Sequence, residues 1–113
     1  MPEYMFLIRY DDVELTEFSP GEYQKMLTDF NEWRNKLIHT AGLRNSGKLT
    51  DGEGKTVRLK KGKVVIDGPY CETKEALAGF FHIVAKDYNE AIEFSKECPI
   101  LPLGGSIEVR ELE

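Results

Sequence analysis

The chain has 113 residues, a formal net charge of −5 and an apolar fraction of 41%, the profile of a single globular domain spanning 1–113. Its acidic balance argues against nucleic acid as the main partner, and no apolar run is long enough to span a bilayer. Two cysteines, Cys71 and Cys98, make neither a disulfide framework nor a structural zinc site and fit a reducing, cytoplasmic setting. The start, Met-Pro-Glu-Tyr, lacks the basic and apolar regions of a signal peptide. There is no P-loop, no CxxC, no HExxH and no GxGxxG after a strand, so a nucleotide or a familiar metal centre is unsupported.

Residues 3–10 alternate Tyr4, Phe6, Ile8 and Tyr10 with Met5, Leu7 and Arg9, which predicts a strand. Both of its faces are largely apolar, so it belongs in the middle of a sheet. Ser19-Pro20-Gly21-Glu22 opens a helix: a capping hydroxyl, a proline at the first position and an acidic third residue. Tyr23, Met26, Leu27, Phe30, Trp33, Leu37, Ile38 and Ala41 follow at helical spacing, and Gly42 stops the run. Arg34 falls inside this apolar stripe, either as a snorkelling stem or as an anion-binding group under the sheet. His39 falls opposite the stripe and is expected to be exposed.

Leu43–Thr50 is a weaker strand. Residues 56–60 and 63–66 pair as a hairpin around Lys61-Gly62. The basic cluster Arg58, Lys60, Lys61 and Lys63 reads as a solvated tip that discourages edge pairing. Next comes Asp67-Gly68-Pro69-Tyr70-Cys71-Glu72-Thr73-Lys74-Glu75, a tight turn crowded with carboxylates, and then a strand from Leu77 to Lys86. Asp87 and Glu90 cap a second helix, 88–95, ended before Pro99. Residues 100–105 form an irregular link, and 106–112 a last strand. The order is a ferredoxin-like split β-α-β of the α+β class with an inserted hairpin. Two helices cover one face of such a sheet. The apolar residues left on the other face predict a homodimer packed sheet to sheet, with a pocket between the sheets near the 67–75 loop.

Three carboxylates in one loop, Asp67, Glu72 and Glu75, are candidates for acid–base work if the loop lines a dry pocket. The structural alternative is that Asp67 accepts bonds within its own turn while Glu72 or Glu75 pairs with Lys74 or Arg58. His82, on the following strand, is the best candidate base if its face is the barrel interior, and otherwise a satisfied interface residue. By simple alternation it shares a face with Ala78, Phe80 and Val84. Tyr10 and Tyr70 have hydroxyls to offer a ligand, with Glu72 and Lys74 beside them. A metal site from Asp67, Glu72, Glu75 and His82 has suitable ligand types but no diagnostic spacing, and a nucleophilic Cys71 is disfavoured by the surrounding carboxylates.

The 67–75 segment, with Gly79-Phe80 after it, resembles the signature of the DGPF branch of the YCII-related proteins: Asp-Gly-Pro-Phe, a variable residue, Glu-Thr-Lys-Glu and a glycine–aromatic pair. Tyr70 stands here in place of Phe. The Tyr-Met-Phe-Leu-Ile start, Ser19-Pro20, Cys98-Pro99 and Gly104-Gly105-Ser-Ile-Glu-Val-Arg110 extend the resemblance over nearly the whole chain. It implies a dimeric α+β barrel. Members of the wider superfamily isomerise, oxygenate or dehalogenate small cyclic molecules, often without a cofactor. The polar cluster beside apolar strands itself suggests a cofactor-free enzyme of isomerase, lyase or oxygenase type acting on a small organic molecule, with Asp67, His82 and Glu75 as catalytic candidates and Tyr10, Tyr70, Glu72 and Lys74 as substrate-binding ones. The alternative is a sensing or protein-binding module linked to transcriptional regulation, since DGPF proteins resemble modules encoded with extracytoplasmic-function sigma factors. A His-Asp pair found after the first strand of other YCII-type proteins has no counterpart at Tyr10-Asp11-Asp12.

Overall fold

A computed structural model describes residues 1–11, 19–49, 54–67 and 75–113. The elements are β1 (Glu3–Asp11), α1 (Pro20–Thr40), β2 (Asn45–Lys48), β3 (Thr56–Lys60), β4 (Lys63–Asp67), β5 (Glu75–Val84), α2 (Tyr88–Ser95), a 3-10 turn (Leu101–Leu103) and β6 (Ser106–Leu112). The main sheet has the order β2-β5-β1-β6, antiparallel throughout, and β3 pairs with β4 apart from it. Set aside the hairpin, and this is the ferredoxin-like split β-α-β arrangement of the α+β class. β1 is central, as its two apolar faces require.

The caps form as their sequences dictate. The amide of Glu22 donates to Ser19 Oγ at 3.2 Å, and that of Glu90 to Asp87 Oδ1 at 2.8 Å. Gly42, at φ +54°, takes the chain out of α1 in a conformation that disfavours any side chain. The strand expected over 43–50 is only Asn45–Lys48; it is an edge strand, tied to β5 alone. The 75–84 strand begins two residues before the expected Leu77 and ends two before Lys86.

The register sorts side chains cleanly. Facing the helices, Tyr4 lies beside Ile83 and Glu111, Phe6 beside Phe81 and Val109, and Ile8 beside Gly79 and Ile107. Trp33 and Leu37 of α1 close over this surface. The Trp33 ring stacks on Phe81 at 4.8 Å, and its Nε1 donates to the Phe94 carbonyl at 3.0 Å, locking α1 to α2. On the helix-free face, Met5 lies between His82 and Arg110, and Leu7 between Phe80 and Glu108. The principal extents are 47 × 40 × 19 Å, the short one being the thickness of one sheet and one helix layer.

Between Ile8 and Arg9 the register shifts: Ile8 pairs with Gly79 and Arg9 with Leu77, leaving Ala78 as the extra residue of a bulge. Alternation therefore fails at Ala78, which lines the helix side with Gly79 and Phe81 rather than sharing the face of His82.

Candidate functional site

A cavity of about 370 Å³ lies between α1 and the sheet, with a mostly apolar lining. Its origin is legible in the register. The helix-side row Lys48–Gly79–Ile8–Ile107 lacks one side chain, at Gly79. Above that gap α1 stands off. Trp33 and Leu37 are buried in its second half, whereas Met26, Leu27 and Phe30 in its first half stay partly exposed although they face inward. Phe30 meets Phe81 and Trp33 edge to face at 6.0 and 5.5 Å, forming the inner wall.

Gly79 is demanded by the backbone. A Cβ there would lie 2.6 Å from the carbonyl oxygen of Gly47 on β2. On the opposite face Phe80 lies over Gly47, where an added Cβ would sit 2.7 Å from the ring. The two glycines and the aromatic ring are thus one device: β2 and β5 approach closely, the ring shields the thin spot, and the missing side chain opens the cavity.

The lining is mostly apolar: Ile8, Met26, Leu27, Phe30, Phe81 and Ile100. Polar groups gather on the side of β2 and the sheet end: Tyr10, Tyr23, Asn31, Arg34, Ser46 and Lys48. Arg34 reaches off α1 so that its Nε donates to Ser46 Oγ at 3.1 Å. It thus stands exposed at the mouth of the cavity, tied to the edge strand β2. Among the described side chains no carboxylate forms an ion pair with it.

Of the residues singled out by sequence, Tyr10 lines the cavity. His82 lies on the other face, half-buried, with Nε2 2.9 Å from Glu3 Oε1. Asp67 ends β4 and Glu75 begins β5, where it pairs with Asp11; these two are described through their backbone. Seven residues of strand put His82 and Glu75 about 23 Å apart in one subunit, so a site containing both needs a second subunit. Tyr70, Glu72 and Lys74 lie outside the described residues. Among the described residues no cluster of three or more His, Cys, Asp or Glu side chains is arranged to hold a metal. Cys98 is fully buried, and burial pushes its thiol up to about 12. The cavity itself escaped the sequence reading; its signal was a Gly-aromatic pair on β5 read as a motif rather than as a missing side chain under a helix.

The helix-free face carries two charged clusters around an apolar centre. Glu108 accepts from Arg9 at 2.9 Å and from Arg110 at 3.0 Å, and the Arg110 bond first, then Arg9, holds its carboxyl below the usual range. Glu3 faces both His82 and, at 4.0 Å, Arg44. Between the clusters lie Met5, Leu7 and Phe80, partly exposed, with Val84 beside Glu3 at the sheet end.

A small α+β domain that, among the described residues, leaves one sheet face without helices and has a cavity beneath its long helix is the class that the fold and site define. The chain belongs to the YCII-related family: the YCII-related domain matches residues 3–113. It is also 30% identical, over 112 residues, to an uncharacterised protein of Rhizobium meliloti (strain 1021), an alignment covering 96% of this chain and 90% of that one. No helix among the described residues is long and apolar enough to cross a membrane.

Proposed function

We propose that this protein binds a small organic molecule in the cavity beneath α1, as a cytoplasmic homodimer of the DGPF branch joined through its helix-free sheet face. The observation that carries the binding reading is the cavity's construction: an apolar interior with polar groups on one side, the usual design of a small-molecule site. The dimer reading is supported by the apolar centre Met5–Leu7–Phe80 between two charged clusters, the anatomy of an interface core and rim. A Leu7→Asp variant buries a charge there and is expected to sediment as a monomer at concentrations where the wild type is a dimer; an unchanged dimer counts against that face.

Two activities fit the site. The described lining holds no carboxylate and no imidazole, which favours binding without chemistry and hence a sensing module linked to regulation. The catalytic reading is cofactor-free isomerase, lyase or oxygenase chemistry. It draws on Asp67, Glu75 and His82, with Tyr10, Tyr70, Glu72 and Lys74 orienting the substrate. It requires the dimer, because Glu75 and His82 lie about 23 Å apart along β5 of one subunit and only a second subunit could bring them together. Mass spectrometry of ligands copurified with wild type, Ala78→Phe and Glu75→Gln separates these. Loss of ligand from the Ala78 variant alone supports the cavity as a binding site. A ligand changed in mass between wild type and the Glu75 variant supports chemistry, and ligand retained by the Ala78 variant refutes the cavity reading.

A further inference from the structure

The geometry points to an anionic ligand: we propose that the cavity takes a small apolar, preferably aromatic, body whose carboxylate is held at the mouth by the Arg34 guanidinium. The inference rests on the cavity reading and deepens it. Arg34 sits in the inward-facing stripe of α1, one turn past Phe30, where an apolar residue would have closed the cavity. Its Nε is fixed on Ser46 Oγ at 3.1 Å. That bond uses one of five N–H donors and orients the planar fork, whose two terminal nitrogens match the spacing of a carboxylate. Lys48, two residues beyond Ser46 on the same face of β2, also lines the cavity. Arg34 thus sets a cation at the mouth of a cavity in a chain of net charge −5. In the same cavity Phe30, Phe81 and Met26 offer ring edges and a thioether to an aromatic body.

Phenylacetate and phenylacetamide, matched in shape and differing in charge, test this by calorimetry, with the methyl signals of Ile8, Met26 and Ala78 locating the bound compound. Wild type is expected to prefer the carboxylate by about tenfold, as a charge-assisted hydrogen bond at a half-exposed mouth allows. Arg34→Met abolishes the preference and leaves the amide's affinity unchanged, while Arg34→Lys keeps part of it. Equal affinities in wild type, with cavity methyls shifting, overturn the anion inference and leave the cavity reading intact. No methyl shift with either compound overturns both.

A second, independent observation concerns the β3–β4 hairpin. Lys61 and Gly62 at its tip both have positive φ, the signature of a type I′ turn that matches strand twist. Val57 pairs with Ile66 and Leu59 with Val64, so all four share one face, and their exposures are 65, 65, 72 and 66%. A lone two-stranded ribbon is at best marginally stable in water, and an apolar tetrad this bare needs a cover. We infer that the arm lies on a second copy of the chain. Residues 54–67 carry five basic side chains and one acid, +4, so the rest of a chain of −5 carries −9. A basic arm with a greasy face thus complements the acidic body of its twin.

Leu59→Asp with Val64→Asp leaves the isolated subunit's core untouched, because both positions are exposed. The pair is expected to weaken dimerisation at least about tenfold by sedimentation. In wild type, hydrogen exchange of 56–67 is expected to slow as concentration rises through the dimer range. Dimer affinity unchanged in the double variant, exchange independent of concentration, or a wild type that stays monomeric each overturns the inference.

Discussion

Gly79→Ala puts the close approach of β2 and β5 to a quantitative test. The φ of Gly79 is not in the positive region, so alanine is conformationally acceptable and only space is at issue. The new Cβ would lie 2.6 Å from the Gly47 carbonyl oxygen and 3.6 Å from the Lys48 Cα. Relief requires the backbone of β2 to retreat, because a carbonyl cannot swing aside as a side chain can. Overpacking of this kind costs about 1–3 kcal/mol. Restricting the unfolded chain returns roughly 0.4–1 kcal/mol. The net loss is then about 1–2 kcal/mol, or a fall of roughly 4–8 °C in Tm for a domain of this size. Gly47→Ala is the control. Its Cβ meets only the Phe80 ring, at 2.7 and 3.1 Å, on the open face where the ring has room to turn. Its loss is expected to stay below about 1 kcal/mol. Urea denaturation with an unchanged slope measures both. A Gly79 variant as stable as wild type, or a Gly47 variant the weaker of the two, refutes the account of why the glycine is there.

Cys98 should resist thiol reagents at pH 8 in the native state and react at the rate of unfolding. Its thiol, held by burial at about 12 against the ordinary 9, keeps its proton in the fold where the unfolded chain gives it up. Stability should therefore be unaffected below pH 9 and fall by about 1.4 kcal/mol per pH unit above it, a slope that Cys98→Ala removes. Glu108 has the opposite sign. Its depressed carboxyl contributes stability above the unfolded value that is lost as pH falls through the folded one, and NMR titration should show it moving upward in Arg110→Gln more than in Arg9→Gln. Trp33→Phe leaves the Phe94 carbonyl without its donor and thins the stack on Phe81; a loss of about 2 kcal/mol is expected by chemical denaturation.

Both helices, their caps and the central place of β1 are legible in the sequence because each depends on local pattern. Ser19 and Glu22, Asp87 and Glu90, and the stripe from Tyr23 to Ala41 fix their elements without reference to distant residues. What escaped depends on contacts that sequence spacing cannot express. The bulge at Ala78 arises from a mismatch between β1 and β5, and it moves that one side chain to the other face. Asn45-Ser-Gly-Lys48 has no strand propensity worth the name and is held in the sheet by pairing with β5. The hairpin was read for its charges, Arg58, Lys60, Lys61 and Lys63, although the same alternation put Val57, Leu59, Val64 and Ile66 together on the reverse side. The candidate residues Tyr70, Glu72 and Lys74 lie outside the described residues, so the loop's resemblance to its family remains a statement about sequence.

One strand ties these features together. β5 carries Gly79 and Phe81 toward α1, and Phe80 and His82 toward the uncovered face. A ligand seated under α1 presses on Phe81 and on the gap left by Gly79; a partner seated on the other face presses on Phe80, which lies across Gly47 of the same thin strand pair. Packed sheets transmit displacement poorly along their length but directly through their thickness, since one backbone is shared by both faces. Occupation of the cavity and the proposed pairing of the subunits would then bear on the same β2–β5 spacing. By linkage, a compound that binds the dimer more tightly than the monomer has to tighten the dimer by the same factor for each cavity filled. Phenylacetate added to wild type at concentrations near the dimer midpoint should shift the sedimentation profile. With Gly79→Ala, where that spacing is already forced open, the shift should shrink. Equal dimer affinities with and without the compound would mean that the two faces of β5 act independently.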